Sequence, residues 1–166
     1  MIAQGLKHFA IVGLVFALAI GWLLTFVANS VLGNVLEAVL HRPPDELYWG
    51  ALLLTAVSMS LITVATLVGT RVARSRGWLS GLSRSALTLS SLLFVALVFA
   101  FNVPSLAELA QRFYEHMSYT YEHPGEAWMM LSLPLVRLIG LPLAYVVIGR
   151  RLFAPTQVEP AAHVAA

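Results

Sequence analysis

The chain has 166 residues, of which 59% are hydrophobic and 11% charged, against roughly 45–50% and about 25% in an ordinary soluble domain. Long uncharged apolar stretches make it a polytopic membrane protein of all-α class rather than a water-soluble globule. The absence of cysteine excludes disulfide exchange, thiolate metal centres and Cys nucleophiles, and a single aspartate, Asp45, excludes chemistry that needs an intramembrane aspartate pair.

Four transmembrane helices are predicted, at about 9–33, 48–70, 82–101 and 127–149. They form one domain over residues 1–154. Lys7 followed by an apolar run containing Ala17-Leu18-Ala19 has some character of a cleavable leader, but the run continues well past that triplet, so an uncleaved first helix is expected. Along it, Gly13, Ala17, Gly21, Thr25, Asn29, Gly33 and Glu37 recur at spacing four. Such a row is one inclined ridge, and small residues on it let a second helix approach closely. Gly13, Ala17 and Gly21 are therefore the candidate helix-packing positions. If the helix runs to Leu40 it covers about 48 Å from Phe9, against a hydrocarbon core of about 30 Å, so its far end should project from the membrane or bend at Gly33.

In the second helix Ala51, Thr55, Ser58, Thr66 and Gly69 share one face, expected to meet helix one or three. Between helices three and four, residues 102–126 are long for a plain connection. Ser105 and Glu108 form a capping box after Pro104, and Leu106, Leu109, Phe113 and Met117 then share a face. An amphipathic helix over about 105–122 is expected on the periplasmic surface, ended by His123-Pro124-Gly125.

Tyr-Glu-His occurs twice here, as Tyr114-Glu115-His116 and Tyr121-Glu122-His123. With His41 and Glu37 on the same side of the membrane, Glu115, His116, Glu122 and His123 form the one cluster resembling a metal site. Histidines seven apart lie about 10 Å apart along a helix, too far to share an ion, so no metal is expected. Titrating surface groups or a rim for a periplasmic partner fit better. Trp128, Met129 and Met130 read as an interfacial anchor.

Arg137 falls near the middle of the fourth span. An arginine there costs at least about 2.5–3.5 kcal/mol on insertion scales and marks a functional site by default. Pro134 and Pro142 flank it and free the carbonyls of Met130 and Leu138. No carboxylate lies within any span; Asn29 is the nearest polar candidate in depth, and Glu37 is reachable only if helix one sits lower or bends inward. Arg137, Asn29 and Glu37 are thus the candidate ligand or partner-binding residues. Three readings stay open: a structural bond to carbonyls and Asn29, a pair with a carboxylate of another subunit, or a grip on an anionic lipid or ligand.

Lys7, Arg71, Arg74, Arg76, Arg84, Arg150 and Arg151 flank one set of helix ends, while the other connections hold only Arg42 and Arg112 and most of the acids. The positive-inside rule then places both termini in the cytoplasm. Arginine over lysine, with abundant Ala and Leu, points to a bacterial inner membrane. The sequence pI near 9.3 follows from these flanking bases and does not imply nucleic-acid binding. The tail, 155–166, reads as disordered.

No nucleotide-binding, zincin or nucleophile-elbow motif occurs, and no cofactor is expected. A non-catalytic subunit or accessory of a larger envelope complex, in transport, secretion or assembly, fits best, embedded in the lipid bilayer with a membrane-protein partner or as a homo-oligomer. A small permease subunit is the first alternative: four-helix small subunits of tripartite carboxylate transporters are similar in size and layout, without a shared motif. The second is an enzyme acting on lipid or polyprenyl head groups through Glu and His of the acidic loop.

Overall fold

The computed structural model describes residues 2–41, 48–79, 82–115 and 124–153. These form four long helices, α1 (Ile2–Leu40), α2 (Tyr48–Ser75), α3 (Arg84–Glu115) and α4 (Pro124–Phe153), and no strand occurs among them. Each helix contains a stretch long and apolar enough to cross a membrane: all of α1, Trp49–Ser75, Arg84–Pro104 and Ser132–Leu152. Large apolar side chains point outward on all four helices, among them Leu23 and Phe26 on α1, Leu53, Val64 and Val68 on α2, Leu92 on α3, and Ile139 and Leu143 on α4. An apolar exterior of this extent suits a hydrocarbon surrounding rather than water.

At most of their ends the helices extend beyond the predicted spans, although α2 starts at Tyr48 as predicted and α3 starts at Arg84 rather than 82. Helix α1 has no break at Gly33; it ends at Leu40, where His41 adopts φ 54° and its N–H donates to the Glu37 carbonyl at 2.9 Å. Helix α3 continues through Pro104 to Glu115. The first part of the segment expected as a separate amphipathic helix is therefore the continuation of the third helix. Its remainder, 116–123, and the tail from 154 lie outside the described residues.

Two helix ends are set by local chemistry. At the end of α2 the Trp78 N–H donates to the Ala73 carbonyl and the Gly77 N–H to that of Arg74, each at 3.0 Å, with Gly77 at φ 66°. This is the Schellman closure, and it needs a residue without a side-chain clash at positive φ. Ser83 caps α3 by accepting the Ala86 N–H at 3.2 Å on its hydroxyl.

Packing follows a ring rather than chain order. Helix α1 lies against α2 along most of its length and against α3 near its start; α4 closes the ring by packing on α2 and α3. The core holds Val12, Ala17, Ile62, Phe94, Val98, Leu141 and Tyr145. Small residues act as sockets. A Cβ on Gly21 would lie 3.1 Å from the Ile62 Cα, and one on Gly69 would collide with the Phe16 ring. Gly13, Ala17, Gly21 and Thr25 are all buried, Asn29 and Gly33 partly so, and Glu37 is exposed.

One feature of α1 is not an ordinary helix: Phe9–Ile20 is wound as a π-helix. In an α-helix His8 and Ala17, nine residues apart, would fall on opposite faces. The wider i→i+5 winding brings nine residues close to two turns, and both side chains are buried, at 1% and 0% exposure. The π segment thereby aligns His8 with Ala17, Gly21 and Thr25.

Candidate functional site

Two polar clusters interrupt the apolar core, at opposite ends of the ring. The first gathers on α2 where it meets α1 and α4. Asn29 donates through Nδ2 to the Ser58 hydroxyl at 3.0 Å, and Ser58 in turn donates to the Leu54 carbonyl at 2.6 Å. Thr25 donates to the Ser58 carbonyl at 3.5 Å. One turn away, Arg137 donates through a terminal guanidinium nitrogen to the Thr55 hydroxyl at 2.8 Å.

Asn29 and Arg137 are thus brought to one face of α2 but engage different side chains of it. Two polar atoms there are buried without a hydrogen-bond partner among the described residues: Arg137 Nε, a donor, and Asn29 Oδ1, an acceptor. A buried donor left unmet costs of the order of 1–3 kcal/mol, more when it is charged. Arg137 is the fourteenth of the 30 residues of α4 and Thr55 the eighth of the 28 of α2.

Glu37 is exposed, two helical turns beyond Asn29, and its backbone carbonyl serves the helix end. His41 is exposed beside it. Glu115 is the last residue of α3; His116, Glu122 and His123 lie outside the described residues.

The second cluster joins three helices near the start of α1. His8 Nδ1 lies 2.7 Å from the Ser90 hydroxyl, Ser90 lies 2.8 Å from the Tyr145 hydroxyl, and Tyr145 lies 3.1 Å from Nδ1. The two shorter bonds are satisfied together when Tyr145 donates to Ser90 and Ser90 donates to Nδ1. The Tyr145 ring stacks on Phe94 at 4.1 Å and meets the His8 ring edge-on at 5.7 Å. Ser90 is 0% exposed. Although a serine beside an imidazole resembles an activated nucleophile, this hydroxyl has no surface on which to meet a substrate, and its role is to tie α1, α3 and α4 together.

Beside this cluster a cleft of about 630 Å³ opens between α3 and α4. His8 and Tyr145 form part of its wall, and Arg84 and Arg150 line it as well. The end of α4 is fixed to α2 close by, where Arg74 donates to the Leu152 carbonyl at 2.6 Å. These contacts gather Lys7, Arg71, Arg74, Arg76, Arg84, Arg150 and Arg151 at one end of the molecule, while Glu37 and the end of α3 lie at the other.

The sequence singles out Arg137 and Asn29 because charge and amide are rare in apolar helices. It does not single out His8, Ser90 and Tyr145. The available signal was three polar residues inside or beside apolar runs, each within two turns of a flanking base.

Compared with known protein families, curated proteins and solved structures, the chain matches none.

Proposed function

We propose that this chain is a multi-pass bacterial inner-membrane protein, its basic end and both termini in the cytoplasm, and that it serves as a non-catalytic subunit of a larger membrane complex. The membrane assignment rests on the four apolar helices and their outward apolar side chains. The orientation rests on seven bases at one end.

The observation that carries the subunit reading is Arg137. Among the described residues its Nε is buried without a partner, and its charge is met by a neutral hydroxyl. Next to it on α4, Leu135, Val136 and Ile139 are exposed. A carboxylate on a neighbouring membrane helix, seated on that apolar face, would complete the guanidinium and offset its desolvation.

The test is native extraction of the tagged full-length protein from its own membranes, as wild type and as Arg137→Leu, with quantitative mass spectrometry and thermal unfolding of both. A partner at fixed stoichiometry in the wild type, reduced more than tenfold in a variant that unfolds at the same temperature or higher, is expected, since removing one member of a buried charge pair costs about 3–5 kcal/mol. Retention of the partner by the variant, or a wild type that carries none, contradicts the reading.

A further inference from the structure

The cleft between α3 and α4 is built in two parts. Arg84, in the first turn of α3, and Arg150, in the last turns of α4, supply two guanidinium groups from facing helices. Thr88 and Ser91 continue the Arg84 face along α3 at spacings four and seven. Their hydroxyls donate to the carbonyls of Arg84 and Leu87, at 3.0 and 2.8 Å, and these side chains add no charge to the lining. Among the described residues no carboxylate lines it.

Away from the arginines the wall is apolar: Leu92, Val95 and Val146. Leu92 is 62% and Val95 41% exposed, so this part opens sideways onto the outer surface rather than into an enclosed chamber. Gly149 leaves its part of the cleft unfilled; a Cβ there would just touch a Leu87 methyl at 3.4 Å. On the floor, the His8, Ser90 and Tyr145 network fixes the wall without using a charged group.

Paired guanidinium groups at the end of a lateral apolar channel match one kind of ligand, an amphiphile with an anionic phosphate head. We propose that this cleft binds an anionic phospholipid of the leaflet at the basic end, its phosphate held between Arg84 and Arg150 and one acyl chain laid along Leu92, Val95 and Val146. Basic pockets between membrane helices recognise lipid head groups in this way, arginine forks suit phosphate oxygens, and the volume is that of a ligand site rather than a packing defect. The inference rests on the membrane reading above and is independent of a partner subunit.

The experiment reconstitutes the full chain in phosphatidylcholine vesicles and measures, by electron spin resonance, the protein-associated fraction of spin-labelled phosphatidylglycerol against spin-labelled phosphatidylcholine. Wild type should prefer the anionic lipid. Arg84→Gln with Arg150→Gln should lower that preference about fivefold per arginine. Arg71→Gln with Arg76→Gln removes the same charge from outside the cleft and should lower the preference by much less. Thr88→Trp, at an exposed position, should block the cleft without altering charge. Equal losses in both arginine pairs, no lipid preference in wild type, or displacement of the lipid by millimolar inorganic phosphate overturns the proposal. Failure of the wild type to enter vesicles at all overturns the membrane reading instead, and this inference with it.

Discussion

Tyr145 carries two separable contributions, a ring and a hydroxyl. The ring stacks on Phe94 and is 3% exposed, whereas the hydroxyl belongs to a three-way contact in which any one member can be lost and the other two still meet. Ser90→Ala leaves Tyr145 and His8 Nδ1 at 3.1 Å, so it should cost about 0.6–1 kcal/mol, the usual size of a hydrogen bond between membrane helices. Tyr145→Ala opens a cavity and should cost about 3–5 kcal/mol. Unfolding in detergent ranks the two; equal losses would mean that the hydroxyl bridge, not the stacked ring, holds the three helices. At this scale the sequence is legible where a residue is out of place by charge. Arg137 stands out in an apolar run, but His8, next to Lys7 at the edge of one, reads as part of a polar flank. Only the winding of α1 reveals that it turns inward.

For the helices, spacing conveyed which positions are small and left open which helix they meet. The ridge from Gly13 to Thr25 is legible as a docking surface, and so is the face of α2 bearing Thr55, Ser58, Thr66 and Gly69, all buried. Spacing four is equally compatible with α1 docking on any neighbour, and the π winding of Phe9–Ile20 alters which residues align with it. The α2 face meets α1 and, through Thr55, α4 rather than α3. Pro104 reads as a boundary because it lacks an N–H and crowds the preceding turn, yet α3 passes through it. A pair of alanine variants checks the socket assignments. Gly69→Ala drives a methyl into the Phe16 ring and should cost about 1–3 kcal/mol. Gly33→Ala meets nothing within 4 Å and should gain up to about 1 kcal/mol from helix propensity, with the protein's partner binding intact. A destabilising Gly33→Ala would instead show that α1 needs a flexible point there.

Across the whole molecule, net charge +2 averages two unlike ends. The seven bases at the end formed by the start of α1, the turn after α2, the start of α3 and the end of α4 include the two that line the cleft, and Arg137, near the middle of α4, lies apart from them. Membrane orientation, lipid selection and subunit attachment would accordingly be handled by different arginines, which is why the variants proposed for each should not affect the others. All three depend on the chain crossing the bilayer with the basic end inside. Because the protein has no cysteine, Ser75→Cys, beside the turn after α2, and Val39→Cys, near the end of α1, each introduce a single labelling site; both positions are exposed. In intact cells whose outer barrier is opened, a membrane-impermeant maleimide should label the cysteine at 39 and reach that at 75 only after the inner membrane is permeabilised. Labelling of both sites in intact cells, or of position 75 alone, would contradict the orientation and the membrane-spanning arrangement on which it depends.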